Sequence, residues 1–89
     1  MGERTLVISA EEAPWPDCEG AARTLFAAMP AGLSYEVRAK GRHIFVRQGP
    51  FRAEVSPRVI LDGRAKWFWS WCERLRTGSE GSVEKSDER

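Results

Sequence analysis

Between Leu33 and Val55, apolar and polar residues alternate with a period of two, broken only at two turn signals. That period sends every second side chain to one face of a pleated strand. Leu33, Tyr35, Val37 and Ala39 alternate with Ser34, Glu36, Arg38 and Lys40. With Lys40-Gly41 as a two-residue turn, Val37 falls opposite Ile44 and Tyr35 opposite Val46. The connection Gln48-Gly49-Pro50-Phe51 sets Ile44 opposite Val55 and Val46 opposite Ala53. Both turns assemble the same apolar face, so this stretch reads as an antiparallel meander with one side to bury.

The cover for that face lies upstream. Cys18, Ala22, Leu25, Phe26 and Met29 recur at helical spacing. Asp17 stands where an N-cap belongs, Glu19 adds negative charge to the first turn, and Pro30-Ala31-Gly32 stops the pattern. Ala13-Pro14-Trp15-Pro16 reads as an extended linker, because the residue before each proline is biased away from helix. Thr5 to Ser9 reads as a short strand or extended arm. Phe51 to Leu61 reads as one strand bent at Ser56-Pro57, or as two joined by a bulge there. The expected architecture is α+β: one N-terminal amphipathic helix packed on a four- to five-stranded antiparallel meander sheet. A single domain is expected over 5–76. Residues 77–89 hold one aliphatic side chain, Val83, and read as a disordered acidic, Ser- and Gly-rich tail.

Asp62-Gly63 is a hairpin signal, and it leads into Trp67-Phe68-Trp69-Ser70-Trp71-Cys72. Trp67, Trp69 and Trp71 alternate with Phe68, Ser70 and Cys72, and the strand reading is preferred on that alternation and the aromatic density. A helix is the alternative, with Trp67, Phe68, Trp71, Cys72 and Leu75 as its apolar stripe. That alternative yields helix, three strands, helix, the element order of double-stranded-RNA-binding domains. In the strand reading, a bulge at Pro57 sends the tryptophans into the core. Without the bulge they join Phe45, Arg38, Arg47 and Arg52 on the opposite face.

Trp69-Ser70-Trp71, preceded by Phe68 and a glycine-containing hairpin, resembles the aromatic strand of small uncharacterised proteins of high-GC Gram-positive bacteria. Eleven Arg against three Lys, with ten Ala, fits such a coding bias. The resemblance implies a cytoplasmic compartment and no assigned activity.

The formal net charge of +1 hides an asymmetry. Residues 1–37 carry two basic and six acidic groups, residues 38–76 ten and three, and residues 77–89 two and four. The sheet is therefore basic between acidic ends. Large apolar aromatics beside arginines are the residues that carry interface hot spots. The first functional reading is thus a non-enzymatic cytoplasmic interaction module. It binds a protein partner, or a second copy as a homodimer, through Phe45, Trp67, Trp69, Trp71, Arg47 and Arg52. The alternative is nucleic-acid binding, with Arg38, Arg47, Arg52, Arg58, Arg64 and Lys66 on phosphates and an aromatic stacked on a base.

Other classes find little support. Three Cys and His residues in total, none paired in spacing, give no metal site. No phosphate-binding loop, nucleophile elbow or dinucleotide fingerprint is present, so no cofactor is expected. His43 with Cys72 is the nearest approach to a base and a nucleophile, and a packed inert thiol is the preferred reading of Cys72. Glu36 and Glu54 read as charge compensation for Arg47 and Arg52 rather than as an acid/base pair. Cys18 and Cys72 read as two free thiols. No apolar run approaches the ~20 residues of a membrane-spanning helix, so no membrane partner is expected.

Overall fold

A computed structural model describes residues 3–77. The segment 78–89, most of the expected tail, lies outside the described residues. The elements are β1 (Arg4–Ile8), α1 (Pro16–Ala27), β2 (Tyr35–Lys40), β3 (His43–Gln48), β4 (Phe51–Val55), the short helix α2 (Pro57–Val59) and α3 (Ala65–Thr77). The protein is α+β; the described residues form a four-stranded sheet in the order β1-β2-β3-β4.

The meander formed by β2, β3 and β4 is antiparallel, as its alternation requires. The β3–β4 register matches the expectation: Ile44 faces Val55 and Val46 faces Ala53. The β2–β3 register is two residues from the expected one. Val37 faces Val46 and Ala39 faces Ile44, because Lys40 pairs with His43 and the turn is Gly41-Arg42. A slip of two preserves the period, so every side chain keeps its face. Tyr35, Val37, Ala39, Ile44 and Val46 are buried, as expected.

Two features of the expected architecture are corrected. First, the segment read as a short strand or arm is strand β1, ahead of the helix, and the sheet it joins is mixed rather than purely antiparallel. β1 pairs in parallel with β2, Leu6 beside Val37 and Ile8 beside Ala39. A parallel pair needs a crossover, which α1 supplies. Backbone bonds from Ser9 N to Ala39 O (3.0 Å) and from Tyr35 N to Glu3 O (3.0 Å) extend this edge. The linker after β1 is latched to the β2–β3 turn: Trp15 N donates to Gly41 O (2.9 Å) and Gly41 N to Glu12 O (3.1 Å). Helix α1 begins one residue before the expected cap. Trp15 occupies the N-cap without a side-chain bond, Pro16 is the first helical residue, and Asp17 and Glu19 lie in the first turn.

Second, no strand follows β4 among the described residues. Ser56 is a helix cap, its Oγ accepting from Arg58 N at 3.3 Å, and Pro57 is the first helical residue. Asp62-Gly63 makes a kink instead of a hairpin. Gly63 sits at φ 88°, a conformation a Cβ would oppose, and the chain turns there from Ile60 into α3. The aromatic run is therefore helical. Its buried stripe is Ala65, Phe68, Trp69 and Cys72, one residue off the stripe that the sequence suggested for a helix.

Helices α1 and α3 cover the same sheet face. Cys18, Ala21, Ala22 and Leu25 from α1, with Met29 just past its end, meet Ile60, Phe68, Trp69 and Cys72 over the inner rows of β2 and β3. Each fully buried Leu, Ile or Val contributes about 1.5–3 kcal/mol of transfer free energy. The indole of Trp69 joins the two helices. Its Nε1–H donates to Leu25 O at 2.8 Å, a carbonyl in the last turn of α1 that also accepts from Ala28 N at 3.2 Å. The ring also lies 4.7 Å from that of Tyr35 and 5.6 Å from that of Phe68, centroid to centroid.

Candidate functional site

Helices α1 and α3 lie on one side, so the other face of the sheet carries no helix among the described residues. Its residues follow from the strand period. Glu36, Arg38 and Lys40 come from β2; His43, Phe45 and Arg47 from β3; Arg52 and Glu54 from β4. Thr5 and Val7 of β1 continue the surface beside Glu36 and Arg38. Phe45 lies at the centre with 36% of its surface exposed. The ring of His43, two residues away on the same strand, stacks on it at 5.9 Å. A concavity of about 460 Å³ over this face is lined by Glu36, Arg38, Phe45, Arg47, Arg52 and Glu54 among others.

The electrostatics are arranged around two carboxylates. Glu36 takes Arg38 on one oxygen (Nη2 at 3.1 Å) and Arg47 on the other (Nη2 at 3.1 Å). Partial burial pushes the Glu36 carboxyl up. The hydrogen bonds and charges of Arg38 and Arg47 outweigh that and hold it below its ordinary range. Glu54 accepts from the His43 ring at 2.7 Å. Arg47 and Arg52 are direct cross-strand neighbours. Among the described residues Arg52 has no hydrogen-bond or ion-pair partner. Like charges so placed destabilise a strand pair. The compensation that the sequence led us to expect is therefore half present: Glu36 serves Arg47, but Glu54 serves His43 and not Arg52.

The structure divides the residues expected to form one partner-binding face. Phe45, Arg47 and Arg52 share the open sheet face with Arg38. Trp69 is not on it; it is 2% exposed, in the core. Trp67 and Trp71 are on α3, on the far side of the sheet. Trp67 is exposed, and Trp71 is half-buried against Phe68 at 5.8 Å. The six cations expected to contact phosphates are divided too. Arg58, Arg64 and Lys66 belong to the helical segment beyond β4, and of the six only Arg38, Arg47 and Arg52 are on the open face of the sheet. The cause in both cases is the helical period of residues 57–77, which separates neighbours that a strand would have aligned.

Two surface features lie outside the expected set. His43 shares the site with Phe45, and the strand period alone aligned His43, Phe45 and Arg47. The guanidinium of Arg42 sits 3.8 Å above the Trp15 ring, at the edge of a cavity of about 530 Å³ that also takes in Arg58, Leu61 and Asp62. No local pattern links positions 15 and 42; the latch between the linker and the β2–β3 turn brings them together.

Among the described residues no acid, base and nucleophile are brought together. His43 is on the outer face, whereas Cys72 is in the core on α3, so that pair does not meet. Burial pushes the Cys72 thiol up to about 12 and raises that of Cys18 as well, which keeps both protonated and inert. Among the described residues no three His, Cys, Asp or Glu side chains are grouped to hold a metal ion. No described helix is long and apolar enough to cross a membrane. No protein-family model, curated protein or solved structure matches this chain.

Proposed function

We propose that this protein is a small non-enzymatic binding module whose helix-free sheet face takes a single-stranded nucleic acid. One observation carries the reading. An exposed aromatic pair, Phe45 and His43, is ringed by Arg38, Lys40, Arg47 and Arg52; Glu36 takes Arg38 and Arg47, Glu12 lies 4.0 Å from Lys40, and Arg52 has no ion-pair partner among the described residues. Bases stack on exposed rings, and phosphates pair with guanidinium groups that an open sheet holds in fixed rows. The free thiols Cys18 and Cys72 fit a cytoplasmic location.

Fluorescence anisotropy with labelled oligo(U) and oligo(dT) at low salt tests it. Four phosphate contacts give a slope of log affinity against log salt of about −3 for a single strand. Phe45→Ala weakens binding by about tenfold or more if a base stacks there. No binding of either oligonucleotide at 20 mM salt would sink the proposal.

A second reading, a protein partner or a homodimer, rests on α3. Trp67, Trp71 and Leu75 follow one another at helical i, i+4 spacing, and Trp67 and Leu75 are 53% and 44% exposed. Sedimentation velocity over a micromolar range tests self-association. A monomer whose Trp67→Ser variant sediments identically counts against the homodimer.

A further inference from the structure

The open sheet face has an ion-pairing deficit at one end, and α3 leaves the fold at that same end. Leu75, two residues before α3 finishes, shares a cavity of about 530 Å³ with Gln48, Gly49, Pro50 and Phe51, the β3–β4 turn. The next residues along both strands are Arg47 and Arg52, the directly opposed like-charge pair. Residues 78–89 follow α3 and carry four carboxylates, Glu80, Glu84, Asp87 and Glu88, against two cations, Lys85 and Arg89.

We propose that residues 78–89 dock over the Arg47–Arg52 end of the outer sheet face, in the place an anionic ligand takes, so that ligand and segment compete. Reach permits this: twelve residues span up to about 40 Å, and the outer row of β3 from Arg47 to His43 runs about 14 Å. Charge selects the sheet over the exposed stripe of α3. The segment is net acidic with Val83 as its one aliphatic residue, a poor match for Trp67, Trp71 and Leu75 and a good one for two opposed arginines. The competition rests on the nucleic-acid reading above; the docking itself does not.

The test uses the full chain with Glu80→Gln, Glu84→Gln, Asp87→Asn and Glu88→Gln together. Two measurements are made at 20 mM salt: ¹H–¹⁵N NMR shifts, including arginine Nε, and oligo(U) anisotropy. The expected result is a shift of the Arg47, Arg52 and Phe45 resonances with those of Ala21 and Ala22 unmoved, and an approximately tenfold gain in oligo(U) affinity. The shift differences vanish near 1 M salt, where the Debye length is ~3 Å. Unmoved Arg47 and Arg52 resonances overturn the docking and leave nucleic-acid binding standing. Shifts that move instead to Trp67 and Trp71, or that grow with protein concentration, also overturn it. Shifts at Arg47 and Arg52 without any oligo(U) binding support the docking and remove the nucleic-acid reading alone.

Discussion

Truncating the three alternating tryptophans one at a time separates a helix from a strand at residues 67–71. A strand sends Trp67, Trp69 and Trp71 to one face, and their losses are then comparable. On α3 they differ. Trp69 is 2% exposed, bonded to Leu25 O and packed on Tyr35 and Phe68. Trp69→Ala costs about 3–5 kcal/mol for the ring and its cavity. A domain of this size holds about 4–11 kcal/mol in all, so this variant is close to unfolding. Trp69→Phe is the more informative change. It keeps a ring but removes the N–H, costing about 1 kcal/mol for the hydrogen bond and about 1 kcal/mol more for lost packing. Trp67 is 53% exposed, and its indole has no hydrogen bond among the described residues. Trp67→Ala stays within about 0.5 kcal/mol of the parent, and Trp71→Ala falls between. Urea unfolding followed by far-UV circular dichroism reads all of these. With m near 1 kcal/mol/M, Trp69→Phe lowers the midpoint by about 2 M. Losses at positions 67 and 69 that agree within about 0.5 kcal/mol would refute the helical placement.

Glu36 supplies a pH test. Its pKa is lowered in the folded state, so it contributes stability above the unfolded carboxylate pKa and loses it as pH falls through the folded value. Glu36→Gln is therefore less stable than the parent at pH 7, and the two converge in acid below the carboxylate range; thermal melts across that range read the convergence. Two glycines respond in opposite directions to alanine. Gly20 lies on α1 with open space around its Cβ position, so Gly20→Ala stabilises by about 0.5–1 kcal/mol. Gly63 has equal space but φ 88°, so Gly63→Ala costs about 1–2 kcal/mol. Urea midpoints moving the same way for both variants would remove the kink.

Much of the fold is written in local pattern. The helix over 17–29 and the three strands of the meander follow from spacing, from Pro30-Ala31-Gly32 and from two turns. The face of each strand residue survives even the two-residue error in the β2–β3 register, because the side-chain period is two. The site follows from the same alternation: Phe45, Arg38, Arg47 and Arg52 share a face in the sequence and in the structure. Ser56-Pro57 also carried its signal, a cap followed by a proline at the first helical position, behind the reading of Pro57 as a strand bend.

The rest had no local expression. Five residues from Arg4 to Ile8 have strand character but nothing in them names a partner; the crossover through α1 brings them beside β2. The segment from Trp67 to Cys72 satisfies a period of two and a helical period equally well. Burial breaks the tie. The inner face of the sheet extends past α1 and needs a second helix, and the Trp69 N–H finds its acceptor on Leu25, 44 residues earlier in the chain. Alternation and turns act between neighbours, so they can be read along the chain. Covering a sheet face and meeting a buried N–H involve residues far apart in sequence, and those are resolved only when the elements pack.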